Sequence, residues 1–195
     1  MKPLLTESGV FVALNADKTK KRKIHTRKID IAIYQGSKEG IIVEGILKDD
    51  RLLDSYRLTG GRVPSGTIHH MIIRIEVKGP GLIIEDIEVE MPTVPHKICQ
   101  ETLECLTPIK GMPIVSGFTS KVKALAGGPK GCNHLLTLLT AMAPAAVQGA
   151  FSAMTSKPID PGPKVQGTLE RFKNTCWAWR ENGPLMEMHA DLAVD

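Results

Sequence analysis

Aromatic side chains are scarce in this chain: four Phe, two Trp and two Tyr among 195 residues. Its core therefore has to be assembled from Ile, Leu, Val and Met. Four cysteines, none in a paired C-x-x-C, make neither a zinc ribbon nor a disulfide-stapled secreted domain. No early stretch combines a charged start, an apolar middle and a small-residue cleavage site, as a signal peptide would. The longest uncharged run, residues 131–156, is broken by His134, Pro144 and Gln148 and reads as too mixed for a membrane span. These absences set the expectation of a cytoplasmic protein with reduced thiols and no membrane partner.

Charge of one sign is also modest, at a net +4, but it is unevenly placed. Lys18, Lys20, Lys21, Arg22, Lys23, Arg27 and Lys28 fall within eleven residues. Such a run can contact phosphate or another anionic surface. It has no interleaved aromatics and no nucleic-acid motif, so nucleic acid is the weaker expectation and a solvated basic segment the stronger. The division expected is a basic N-terminal segment over residues 1–23 and a single domain over 24–195. Self-association is left open.

Hydrophobic spacing separates the domain into two halves. Ile29, Ile31 and Ile33 alternate with polar or small residues, as in a half-buried strand. A second strand is expected from Gly40 to Leu47, joined to the first by the turn at Gly36 to Gly40. Met71, Ile73, Ile75 and Val77 mark one face of a third strand, with His70, Arg74, Glu76 and Lys78 on the other. A fourth strand follows over Leu82 to Met91, its acids near Arg74 and Lys78. Helical spacing then takes over at Ile98 to Leu106 and at Gly117 to Ala126. A longer helix is expected behind Asn133 as its cap, with Leu135, Leu138, Leu139, Met142 and Ala146 on one face and Pro144 kinking or interrupting it. Residues 156–167 read as a linker or long loop, and Thr175 to Arg180 as a closing strand. Strands first and helices afterwards predict an α+β fold: an antiparallel sheet of four or more strands with helices on one face.

The residue types that carry chemistry gather at element ends. Cys132 and His134 sit at the start of the long helix, where unpaired N–H groups favour a thiolate. Of the adjacent His69 and His70, opposite strand faces allow only one to point inward, and parity favours His69. Cys99 follows the fourth strand. Cys105, beside Leu103 and Leu106, reads as a small buried hydrophobe. Cys176 is a further sulfur that can pack or turn toward the same place.

On Ile24-His25-Thr26-Arg27, Ile68-His69-His70-Met71, Cys99, Gly117-Phe118-Thr119, Gly131-Cys132-Asn133-His134-Leu135 and Asn174-Thr175-Cys176, the chain resembles an uncharacterised bacterial family, domain of unknown function 2889. The family more often has an acid where this chain has His70. The resemblance adds weight to His69, Cys99, Cys132, His134 and Cys176 as a set and implies no established activity. More distantly, the element order from His69 to Ala150 is similar to U-type iron–sulfur cluster assembly scaffolds. That likeness places His69, Cys99 and Cys132 near the three ligand positions, with no counterpart of the scaffold's Asp.

Three functions follow as expectations. The first is a metal-binding protein, scaffold- or carrier-like, that holds zinc, iron or an iron–sulfur cluster through His69, Cys99 and Cys132, with His134 or Cys176 as the fourth ligand. The second is a metal-independent thiol enzyme with Cys132 as nucleophile and His134 or His69 as base. The third is an anion- or nucleic-acid-binding module acting through the Lys18–Lys28 run.

Overall fold

The computed structural model describes residues 22–36, 40–156, 158, 167 and 172–188. Six strands come first: β1 (His25–Gln35), β2 (Gly40–Arg51), β3 (Ser55–Tyr56), β4 (Arg62–Val63), β5 (Gly66–Lys78) and β6 (Ile83–Thr93). The helices α1 (Phe118–Ala126), α2 (Asn133–Met154) and α3 (Pro184–Met188) follow. One antiparallel sheet has the order β1-β2-β5-β6, and β3-β4 is a small ribbon inserted between β2 and β5. The expected α+β class is therefore the observed one. The basic run lies outside the described residues up to Lys21. Its Arg27 and Lys28 belong to β1.

Period-two alternation decides which face of the sheet is covered. Ile41, Val43 and Leu47 of β2 and Met71, Ile73, Ile75 and Val77 of β5 are all buried. They meet Leu135, Leu138, Leu139, Met142 and Ala146 of α2, the helical stripe that the sequence spacing predicts. By length and composition alone, and contrary to the expectation from its mixed sequence, α2 is long and apolar enough to cross a membrane, with a mean hydropathy of 1.4. Here that apolar face lies on the sheet instead. The opposite face of the sheet carries charge: Arg74 of β5 bonds Glu44 of β2 at 2.6 Å and also pairs with Glu90 of β6.

Gly45 sets how closely α2 approaches. A Cβ there would stand 2.5 Å from Met142 Sδ, 2.8 Å from its Cγ and 3.0 Å from Leu138 Cδ1. Gly45→Ala is expected to cost about 1–3 kcal/mol through overpacking, read as a lower urea midpoint with an unchanged slope.

Several expectations need correction. β2 continues past Leu47 to Arg51. The helix expected over Ile98 to Leu106 is a 3-10 turn, Lys97–Thr102, followed by a second at Thr107–Ile109. Its N–H groups reach back three residues, Cys99 to His96 and Leu103 to Gln100. Helix α2 starts one residue early, so Cys132 rather than Asn133 is its cap, in an extended conformation at φ −98° and ψ 124°. Pro144 lies inside α2 without interrupting it. Residues Thr175 to Arg180 form turns, not a strand. Asn174 adopts φ 61°, and its N–H donates to the Trp179 carbonyl at 2.8 Å, folding the chain back on itself. Most of the segment 156–167 lies outside the described residues.

Candidate metal centre

At one end of the sheet the inward register changes from aliphatic to polar in three adjacent strands. Going outward along β1 the inward positions end in Arg27 and His25, along β2 in Asp49, and along β5 in His69. Antiparallel pairing sets Arg27 opposite Asp49 and Asp49 opposite His69, so the three form one cross-strand row. The first turn of α2 passes over this row and delivers His134 from above, its Nε2 3.4 Å from Asp49 Oδ2.

Asp49 is the hub and the one buried charged residue among those described, at 1% exposure. Arg27 grips it in a fork, Nε to Oδ1 and Nη2 to Oδ2, each at 2.7 Å. His69 Nδ1 lies 3.1 Å from Oδ2, and His25 Nε2 lies 3.6 Å from Oδ1. The hydrogen bonds from Arg27 pull the Asp49 carboxyl down to about 2 against the opposing effect of burial. It is therefore ionised throughout the physiological range.

The two imidazoles stack, with ring centroids 3.6 Å apart and planes inclined by 27°. Burial is the largest influence on each and pushes both pKa values down, although Asp49 pulls the other way. For His134 the neighbouring His69 and Arg27 push in the same direction as burial. At neutral pH the site thus presents two neutral imidazoles beside one carboxylate, with His69 Nδ1 at hydrogen-bonding distance from Asp49. Those are the protonation states that a metal ion requires of its ligands.

Distances support the same chemistry. One ligand atom from each of Asp49, His69 and His134 falls within 4.8 Å of the others. Two donors at about 2.1 Å from one ion stand about 3.0 Å apart at a right angle and about 3.4 Å apart at the tetrahedral angle. The separations from Asp49 Oδ2, 3.1 Å to His69 and 3.4 Å to His134, span that interval. The longer one lies beyond the usual N–H···O range of about 2.7–3.2 Å.

Of the residues expected at a site, the fold brings His69 and His134 together and adds Asp49, while Cys99 and Cys132 do not belong to that group of donors. Cys99 sits in the 3-10 turn after β6, where its carbonyl accepts from the Thr102 hydroxyl. Cys132 lies behind His134, its Sγ 3.9 Å from Nδ1, the nitrogen remote from Asp49. The contact lies on the side of the ring away from Asp49 and helps fix the orientation of the imidazole. Cys105 is half-buried against the core, as the sequence suggests, and burial pushes its thiol up. Cys176 is exposed, in the turn that replaces the expected closing strand. His70 faces the other side of β5, toward Lys48 and Glu90. Arg27, counted above with the basic run, is committed to Asp49.

Sequence reasoning missed Asp49 and the role of Arg27. The available signal was parity: Ile41, Val43, Gly45 and Leu47 all face inward, and the next residue of that series is Asp49. If Cys132 orients His134, Cys132→Ala should weaken metal binding about tenfold to a hundredfold, while Cys132→Ser, which keeps a hydrogen-bonding group, should stay closer to the natural chain. Equilibrium dialysis against zinc separates the two.

A family comparison matches residues 25–148 to DUF2889, described as a protein of unknown function. The matched span contains Arg27, Asp49, His69, Cys132 and His134 together. Neither the curated proteins nor the solved structures gave a match. Since the match covers well over half of the chain, the protein belongs to the DUF2889 family.

Proposed function

We propose that this protein binds a single divalent transition metal, zinc or iron(II), through Asp49, His69 and His134. The observation that carries this reading is the convergence of three donors, one ionised and two neutral, from three elements far apart in sequence. Two imidazoles and one carboxylate suit zinc in a catalytic-type site and iron(II) in a facial triad. Three protein ligands leave at least one coordination position open, where bound water is acidified or a small anion held. Arg27 holds the carboxylate ionised and in place behind the metal. An iron–sulfur cluster draws on thiolates, and the gathered donors include none.

The thiol-enzyme reading also has a specific observation in its favour, since Cys132, His134 and Asp49 stand in line. It needs His134 to carry a proton readily, and burial, His69 and Arg27 all oppose that. Metal binding uses the neutral imidazole that this environment favours. The test is the metal content of protein purified without a histidine tag, handled aerobically for zinc and anaerobically for iron. About one ion per chain supports the proposal, and a content far below one under both conditions overturns it.

A further inference from the structure

Beyond the metal-site reading and independent of it, a cleft of about 730 Å³ opens beside the β3-β4 ribbon. Its wall includes Arg51 of β2, Tyr56, Arg57, Val63, Ile68 of β5 and His96 after β6. None of its lining residues is Asp or Glu, although the chain as a whole holds nearly as many acids as bases. Two acids stand behind this lining and already hold hydrogen bonds, and Asp54 also lies close enough to Arg51 for its charge to favour the carboxylate. Asp54 accepts from the Arg62 side chain and the Ser65 N–H, and Asp50 accepts from the Thr67 hydroxyl.

Arg51 supplies the second, independent observation. Its Nη2 donates to the Pro64 carbonyl at 2.9 Å, but its Nε is buried with no hydrogen-bond partner. A buried guanidinium N–H without an acceptor is uncommon in folded proteins and calls for an explanation such as a bound water or ion. Guanidinium groups recognise oxyanions by paired hydrogen bonds, and the size of the cleft is that of a small-molecule site. Tyr56, Val63 and Ile68 provide apolar surface for the rest of such a ligand. We infer that this cleft binds a small organic oxyanion, a carboxylate or phosphate carried on an apolar body, with Arg51 and Arg57 holding the headgroup and His96 beside them.

Calorimetric titration of the full chain, stripped of metal with EDTA and then dialysed free of the chelator, keeps any metal centre from supplying the anion site. The probes are phenyl phosphate, benzoate, benzyl alcohol and inorganic phosphate. The expected result is millimolar or tighter binding of phenyl phosphate or benzoate, whichever is tighter identifying the headgroup. Benzyl alcohol, which lacks the charge, and inorganic phosphate, which lacks the apolar body, should each bind at least about tenfold more weakly. Arg57 makes no side-chain ion pair among the described residues, so Arg57→Gln should fold normally and weaken the tighter anion at least about fivefold. Arg51→Lys, which keeps the charge and loses the fork, should weaken it by a similar factor. No binding of either organic anion in the millimolar range would overturn the inference. So would equal binding by the natural chain and both variants, or benzyl alcohol binding as tightly as the anions.

Discussion

His134→Ala and His69→Ala, made separately, should each lower zinc affinity by at least about a hundredfold, since the loss even of an outer hydrogen-bonding partner already costs about ten- to a hundredfold. The effect is expected to be large because three protein donors are gathered among the described residues, and removing one leaves two of them. Both side chains are largely buried, at 14% exposure for His69 and 22% for His134, so each variant's fold is checked by its urea midpoint alongside the titration. Cys99→Ser, which changes no member of the donor group, should bind zinc like the natural chain. A chelator-competition titration measures all three. Equal affinity in the natural chain and both histidine variants would remove the site, and loss of binding in Cys99→Ser would return the thiol to the ligand set.

Arg27→Ala should be the most destabilising single change at this end of the sheet, by about 3 kcal/mol in metal-free protein. It strips two charge-assisted bonds from a carboxylate whose side chain is only 2% exposed. The figure sits at the low end for a broken buried pair because Arg27 is itself 39% exposed and partly screened. The pH dependence has a definite sign. The carboxyl of Asp49 falls from 3.8 to about 2 on folding, so its contribution is present above about pH 4 and is lost as pH drops toward 2. That loss amounts to about 2 kcal/mol. His69 and His134 are also depressed in the folded state, so the unfolded chain takes up their protons first and stability begins to fall below about pH 6.5. Urea denaturation of metal-free protein between pH 7 and pH 3 should therefore show a first decline from the histidines and a second from Asp49. In Arg27→Ala the second should shrink or vanish, because without the guanidinium the folded-state carboxyl no longer titrates well below its unfolded value. A flat profile over that range would contradict the electrostatic account.

Much of the fold is legible in the sequence because one face of each long strand is buried. Ile29 to Ile33 and Met71 to Val77 alternate so regularly that strand, register and covered face follow together. The Leu135-to-Ala146 stripe likewise locates the helix that covers them. The candidate site is legible only in part. His69 and His134 are found by parity and by their position at element ends. Asp49 is hidden by its neighbours, because Lys48-Asp49-Asp50-Arg51 reads as a polar strand end even though Asp49 continues the inward series. Cysteines draw attention for their chemistry, yet their placement depends on tertiary packing that spacing does not encode. Cys132 comes to lie behind a ligand candidate and Cys105 against the core. Local turn geometry fails for the same reason. A single left-handed residue, Asn174, turns an apolar stretch that looks strand-like into a folded-back turn.

The most direct test of the Asp49–His69–His134 centre is X-ray absorption at the zinc edge on protein loaded with one equivalent of zinc. The account predicts a first shell of nitrogen and oxygen alone at about 2.0–2.1 Å, with the outer-shell scattering of two imidazoles. A sulfur contribution at about 2.3 Å would place a cysteine in the ligand set, and the absence of imidazole scattering would contradict the site outright.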